Sequence, residues 1–133
     1  MIEKNKPECL IFEDDQSNFE LLERMAQSFH LKSIKFDRLE KVFTYLELEP
    51  ADLVIIDTDC LEGSPDEVTS RVKDLNPKGL VVWVCAHEPG RQNSQGGKPD
   101  MILTKPFGIM LFQQVLTPYI FSQSIPGYKG SAN

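Results

Sequence analysis

Residues 9–15 read CLIFEDD, a run of four apolar side chains that ends in three carboxylates. Residues 52–57 read DLVIID and follow the same plan, with four apolar side chains that end at Asp57. Short, continuously apolar runs bounded by polar residues are typical of strands buried on both faces of a sheet. Both stretches therefore predict central strands of a parallel sheet, each followed at once by acidic side chains.

The rest of the chain alternates between two hydrophobic periods. Apolar runs at residues 80–85 and 101–104 predict two more strands, and residues 33–36, in which apolar and polar side chains alternate, are a plausible further strand. Between the strands, apolar side chains recur at three- and four-residue spacing, the pattern of amphipathic helices. These predicted helices cover residues 19–29, 39–46, 65–75 and 108–116. The alternation predicts an α/β domain with a doubly wound, five-stranded parallel sheet and helices on both faces.

Polar residues at the predicted helix starts suggest N-caps. Asp15 or Ser17 can cap the first helix, since short polar side chains accept hydrogen bonds from the free N–H groups there. Asp37 with Glu40 three residues later resembles a capping box for the second helix. Ser64, followed by a proline at the first helical position, predicts the start of the third.

One connection departs from the alternation. Residues 87–99 read HEPGRQNSQGGKP, with three glycines, two prolines and almost no apolar side chain. We expect a loop instead of a helix, because nothing in this stretch could anchor a helix to a core. The predicted domain then covers residues 1–121, and residues 122–133 are expected to form a flexible tail.

Charge and cysteine content narrow the class of protein. The 133 residues include 20 acidic and 14 basic side chains, a net charge of −6. Binding to nucleic acid or to an anionic membrane needs a Lys/Arg surplus, so we expect neither partner.

Cys9, Cys60 and Cys85 are far apart, which fits reduced thiols. The longest apolar run, residues 80–86, is far below the roughly 18 residues of a bilayer span, and we expect a cytoplasmic protein.

The side chains that follow the strands point to the chemistry. Glu13 and Asp14 follow the first strand, Asp57 ends the third, and Lys105 follows the fifth. In parallel sheets the ligand site lies at the carboxyl ends of the strands, where these residues should converge. Clustered carboxylates need a cation to stay ionised, and hard oxygens suit Mg²⁺. Lys105 supplies a point charge that can hold a phosphoryl oxygen.

Each of these residues alone has an ordinary explanation. An acidic residue after a strand is often only a helix N-cap or a turn residue, and a lysine is most often a solvated surface group. The argument for a site is therefore their joint placement at the ends of strands one, three and five.

Three motifs in series carry a family resemblance. The stretches IFEDDQSNFELLERM, DLVIID and LTKPF, at residues 11–25, 52–57 and 103–107, resemble the receiver domain of two-component response regulators. The resemblance covers residues 8 to 121. It implies a flavodoxin-like fold with strand order 2-1-3-4-5.

The resemblance also implies roles for single residues. Asp57 takes the position of the phosphoacceptor, and Glu13 and Asp14 match the acidic pair that holds Mg²⁺ together with Asp57. The backbone carbonyl of Asp59 is expected as a further metal ligand, and Lys105 matches the lysine that contacts the acyl phosphate. The implied partners are a histidine kinase or phosphotransfer protein upstream and an unidentified protein downstream. The domain is then a self-phosphorylating switch with Mg²⁺ as cofactor, not a turnover enzyme.

Three departures from the family concern the switch. Cys85 stands where the family has Ser or Thr, and a thiol is a weak hydrogen-bond donor. Ile102 stands where the family usually carries an aromatic side chain, and the fourth helix is replaced by the loop at residues 87–99. These departures leave open a degenerate receiver that acts as a phosphorylation-independent interaction module. A remote alternative is a haloacid-dehalogenase-like phosphatase, which IIDTD at residues 55–59 resembles, but the order of its motifs is reversed here.

Overall fold

The residues that the structure describes form five strands and four α-helices in the predicted order. The computed structural model describes residues 7–86 and 97–121. The strands are β1 (Glu8–Phe12), β2 (Lys32–Phe36), β3 (Leu53–Asp57), β4 (Leu80–Cys85) and β5 (Met101–Thr104). The helices are α1 (Gln16–Gln27), α2 (Leu39–Leu48), α3 (Pro65–Leu75) and α4 (Ile109–Phe121), and a short 3-10 turn covers Thr58–Cys60. The predicted tail at residues 122–133 lies outside the described residues.

The strands form one parallel sheet in the order β2-β1-β3-β4-β5, which confirms the predicted fold class and strand order. Every residue of β3 and of β4 is buried, as expected for strands covered on both faces. Phe12 of β1 lies opposite Ile56 of β3, and Asp57 lies opposite Val84 of β4. The carboxyl ends of these three strands therefore lie side by side.

Two apolar layers hold the helices on the two faces of the sheet. On one face, Met25 of α1 and Phe112 of α4 pack with Ile55 in a single cluster. On the other face, α2 and α3 cover a second cluster that includes Val72 and Trp83. Burial of these side chains contributes about 1.5–3 kcal/mol for each large apolar group.

The starts of the helices agree only in part with the predicted caps. Asp15 caps α1 by accepting a hydrogen bond from the Asn18 backbone N–H at 2.9 Å. Ser64 caps α3 as predicted. The predicted capping box of Asp37 and Glu40 is wrong, because the residue before α2 is Arg38, in an extended conformation and without a side-chain cap. The helix therefore begins at Leu39, whose side chain packs against the apolar cluster under α2 and α3.

The last helix is longer than predicted. The sequence predicts a helix over residues 108–116 with Pro118 near its end, but α4 continues through Pro118 to Phe121. Proline removes one helical hydrogen bond without forbidding the helix if packing compensates. Phe112 and Leu116 are fully buried, and they anchor the turns of α4 that precede the proline. None of the described helices is long and apolar enough to cross a membrane.

The chain is clamped where it approaches β5. The Asp100 side chain accepts a hydrogen bond from the Val81 N–H at 2.8 Å, and the Asp100 N–H donates to the Val81 carbonyl at 2.7 Å. Lys73 of α3 lies 3.4 Å from the same carboxylate. Of the predicted loop, residues 87–96 lie outside the described residues, and residues 97–99 form neither helix nor strand.

Gly97 lies directly against α3. Its N–H donates to the Asp66 carbonyl at 3.1 Å, and an added Cβ would lie 2.6 Å from the Ser70 backbone nitrogen. Real Cβ atoms essentially never come so close to backbone atoms. A glycine is therefore required at this point by the close approach of the two backbones.

Replacing Gly97 by Ala should destabilise the domain by about 1–3 kcal/mol, because the new methyl group must push the segment away from α3. Urea unfolding followed by circular dichroism measures this change. The matched control is Gly63→Ala, where an added Cβ meets nothing within 4 Å, and its stability should be unchanged. Equal stability of the two variants would contradict the packing argument.

Candidate functional site

An acidic crevice opens at the carboxyl edge of the sheet. Glu13 follows β1 and Asp57 is the last residue of β3, and each is only 1% exposed. Asp14, next to Glu13, faces solvent. Because β1 and β3 are neighbours, the structure brings these three predicted site residues together.

Lys105 reaches the crevice from the loop after β5. Its Nζ lies 2.9 Å from Asp57 Oδ2, so the side chain extends past the end of β4 to reach β3. The Lys105 N–H donates to the Cys85 carbonyl at 2.8 Å, which holds the base of the side chain against the end of β4. The bond between Lys105 and Pro106 is cis.

The ion pair fixes the charges of its two members. Burial alone would raise the pKa of Asp57, but hydrogen bonds with Glu13, Lys105 and the Asp59 N–H outweigh it and hold that pKa below its usual value. Burial alone would lower the pKa of Lys105, yet its bonds to Asp57 and Asp59 hold it above its usual value. Asp57 is therefore an ionised carboxylate beside a firmly protonated lysine.

The pKa of Glu13 is shifted in the opposite direction from that of Asp57. Its Oε2 accepts a hydrogen bond from the Asp15 N–H at 3.1 Å, but its buried Oε1 has no hydrogen-bond partner among the described residues. Burial, followed by the hydrogen bond with Asp57, raises the pKa of Glu13 to about 7. That contact is a hydrogen bond only when Glu13 carries a proton, because two ionised carboxylates are both acceptors.

The crevice fits a divalent cation. A buried carboxylate oxygen without a donor costs about 1–3 kcal/mol or more, and a cation between Glu13, Asp14 and Asp57 would remove that cost. Three carboxylates with an open, solvent-facing side form the oxygen-rich donor set that Mg²⁺ prefers. The predicted contribution of the Asp59 backbone carbonyl stays a prediction.

Cys60 belongs to the crevice, which sequence reasoning missed. Its thiol donates a hydrogen bond to Asp14 Oδ1 at 3.1 Å and lies 3.5 Å from Glu13 Oε2. Burial, together with the neighbouring acidic groups, raises the pKa of the Cys60 thiol, which keeps it protonated as a donor. One ligand atom from each of Glu13, Asp14 and Cys60 falls within 4.8 Å of the others.

The Asp59 side chain also takes part. Its Oδ2 accepts two hydrogen bonds, from Lys105 Nζ at 3.1 Å and from the Ala86 backbone N–H at 3.0 Å. The Asp59 N–H in turn donates to Asp57 Oδ1 at 2.9 Å. Lys105 is thus shared by two carboxylates.

The two predicted switch positions lie in or near the core. Cys85 is fully buried at the end of β4. Ile102 lies opposite Trp83 and packs against the cluster under α2 and α3. Trp83 donates from its indole nitrogen to Thr69 Oγ1 at 2.8 Å, which satisfies its polar atom within the core. The switch roles of Cys85 and Ile102 stay predictions.

A mostly apolar groove adjoins the crevice. It has a volume of about 190 Å³, and Glu13 and Lys105 contribute to its wall. Leu21 of α1 and Phe107 also line the groove. Leu21 is also a large apolar side chain that is partly exposed to solvent.

Solved structures share this fold over most of the chain. The receiver domain of a sensor histidine kinase from Pseudomonas aeruginosa has a TM-score of 0.72 and 18% identity, covering 86% of this chain and 97% of that one. A receiver domain protein from Methanospirillum hungatei has a TM-score of 0.74 and 15% identity, covering 90% and 97%. A response regulator from Thermotoga maritima has a TM-score of 0.67 and 19% identity, covering 84% and 96%.

These similarities confirm the predicted fold, which is that of response regulator receiver domains. No family model matches the sequence, and no curated protein matches it.

Replacing Glu13 by Gln should change how stability depends on pH when no divalent cation is present. A folded-state pKa raised from 4.5 to about 7 means that the native protein loses stability as pH rises through that window. Gln keeps the shape and cannot ionise. The measurement is urea unfolding in EDTA at pH 5.5 and at pH 8. Between these pH values the free energy of unfolding of the variant should rise by about 1–3 kcal/mol relative to that of the native protein.

The control for this comparison is Glu62→Gln, which neutralises an exposed glutamate. It should follow the pH dependence of the native protein. The interpretation of Glu13 is wrong if Glu13→Gln follows it too.

Proposed function

We propose that the chain is a phosphoacceptor receiver domain that takes a phosphoryl group onto Asp57 from the phosphohistidine of a kinase or phosphotransfer protein. The observation that carries the proposal is the buried, ionised Asp57 carboxylate at 2.9 Å from Lys105, beside an acidic pair with one unpartnered buried oxygen. This arrangement combines a nucleophile, a fixed cation and a metal-binding donor set within one crevice.

The chain's own residues supply most of the chemistry. An electron pair of an Asp57 oxygen attacks phosphorus in line with the breaking N–P bond, and an O–P bond forms as that bond breaks. The imidazole nitrogen of the donor keeps the electron pair, and the ring leaves as neutral imidazole because its other nitrogen already carries a proton. Lys105 already contacts Asp57, so its charge lies where it can offset the charge of the phosphoryl oxygens.

Glu13, Asp14 and Asp57, with the backbone carbonyl of Asp59, would hold Mg²⁺. When bound, the metal neutralises charge on the phosphoryl oxygens. The similar receiver domain from Pseudomonas aeruginosa has a magnesium ion coordinated in its active site cleft, which supports this part of the proposal.

The apolar groove next to Lys105 suits a protein that delivers the phosphoryl group. A donor histidine must reach Asp57 from the open edge of the crevice, and Leu21 and Phe107 in the wall of the groove offer apolar contacts beside that path. We propose that the protein works in the cytoplasm as a switch, without turnover, and passes its signal to a downstream protein by direct contact.

A second candidate function is a phosphorylation-independent interaction module with the same fold. The observation that favours it is the pairing of Lys105 with two carboxylates, those of Asp57 and Asp59, before any phosphoryl group is present. Acetyl phosphate distinguishes the two candidates, because it phosphorylates receivers without a partner protein.

Incubation with acetyl phosphate and Mg²⁺ should produce one phosphoryl adduct in the intact mass spectrum. Asp57→Asn should abolish it, because the amide is not a nucleophile. Asp37→Asn, which changes an exposed aspartate, should label like the native protein. An adduct that survives in Asp57→Asn contradicts the assignment of the acceptor. Absence of labelling where an ordinary receiver is labelled favours the interaction module.

Replacing Lys105 by Met should slow labelling by roughly a hundredfold, because the developing charge loses its fixed counter-ion. The rate of adduct formation at saturating Mg²⁺ measures this effect. Lys78→Met is the control, since it removes an exposed lysine that precedes β4, at the opposite edge of the sheet. Equal rates for the two variants would contradict the role of Lys105.

A further inference from the structure

We propose that the Asp59 carboxylate occupies the anion pocket that a phosphoryl group on Asp57 needs, so that the chain carries its own occupant of that pocket. The occupant must leave before Asp57 is phosphorylated. This inference concerns the regulation of the proposed phosphoacceptor site and rests on that proposed function.

The pocket consists of two donors that point at one oxygen. Lys105 Nζ and the Ala86 N–H both donate to Asp59 Oδ2, at 3.1 and 3.0 Å. One donor is a cation and the other is a backbone group of fixed direction, which is the combination that binds anionic oxygens well.

The pocket adjoins the reactive carboxylate. The same Lys105 Nζ lies 2.9 Å from Asp57 Oδ2, so one ammonium group bridges the acceptor and the occupant. A phosphoryl group attached to Asp57 places new anionic oxygens next to this ammonium group. Those oxygens and the Asp59 carboxylate therefore compete for the same donors.

The turn after β3 positions the occupant. Asp59 lies in the 3-10 turn Thr58–Cys60, and its N–H is held by Asp57 Oδ1 at 2.9 Å. With its backbone fixed in this way, the side chain points back across the crevice towards Ala86.

The occupant is held weakly enough to leave. The Asp59 side chain is 41% exposed and that of Lys105 is 29% exposed, so solvent screens their attraction. Displacement of Asp59 into water is therefore feasible, and it should slow phosphorylation without preventing it. In the unphosphorylated chain the Asp59 carboxylate already lies where the phosphorylated chain would have its phosphoryl oxygens. The structures of the phosphorylated and unphosphorylated chains should therefore differ less.

The first test needs no phosphorylation. Asp59→Ala empties the pocket, and inorganic phosphate titrated at constant ionic strength should then raise the unfolding temperature of this variant. The native protein and Glu62→Ala, which removes an exposed carboxylate nearby, should show no such rise. A response to phosphate that is the same in all three proteins, or absent from all three, would overturn the inference.

The second test measures the rate of labelling by acetyl phosphate with Mg²⁺. Asp59→Asn should be labelled about tenfold faster than the native protein, because a negative charge within a few ångströms of the incoming group is removed. The matched variant Glu62→Gln should be labelled at nearly the native rate. A rate for Asp59→Asn at or below that of Glu62→Gln contradicts the inference.

The two tests separate the inference from the proposed function. If no protein is labelled, the phosphoacceptor function fails, but the phosphate titration of Asp59→Ala still decides whether Asp59 fills an anion pocket. If the native protein is labelled and Asp59→Asn is no faster, the phosphoacceptor function stands and the competition is refuted.

Discussion

The ion pair between Asp57 and Lys105 is the constraint on which the rest of the site depends. It joins the ends of β3 and β5 across the intervening end of β4, so the edge of the sheet is tied together at the point where the crevice opens. Together with the hydrogen bonds from Glu13 and the Asp59 N–H, the pair keeps Asp57 ionised despite its burial. With that charge fixed, Glu13 beside it must either hold a proton or face a cation. Neighbouring strand ends bring the carboxylates together, and the ion pair fixes the charge that Glu13 faces.

Much of the fold was predictable because burial on both faces leaves a strong sequence signal. The continuous apolar runs of β1, β3 and β4 have no competing interpretation once the chain alternates with amphipathic helices. The boundaries were less predictable. Asp37 is a residue type that often caps helices, but it lies one residue before the N-cap position of α2. Pro118 does not end α4, because buried side chains hold the preceding turns of that helix.

The site divides in the same way. Glu13, Asp14, Asp57 and Lys105 could be placed from sequence because strand ends converge at one edge of a parallel sheet. The partners of Cys60 and Asp59 could not be placed. Both lie in the 3-10 turn after β3, where one residue more or less rotates the direction of a side chain by about 120°. Spacing along the chain predicts that these side chains lie near Asp57. The geometry of the turn decides that Cys60 reaches Asp14 and that Asp59 reaches Ala86.

The clamp at Asp100 has a consequence for how the chain tolerates changes of length. Gly97 is held against α3, and Asp100 is bonded to Val81 on β4, so β5 and the lysine after it are aligned by contacts formed after residue 96. Extra residues inserted between positions 87 and 96 would therefore leave the alignment of β5 unchanged, because the contacts that align it are formed by Gly97 and Asp100. Doubling the length of such a connection costs only about 0.6 kcal/mol of closure entropy. The alignment of β5 therefore does not depend on the length of that connection, and the end of the connection that precedes Gly97 is the place to graft a peptide or a reporter domain, away from Ala86 and its contact with Asp59.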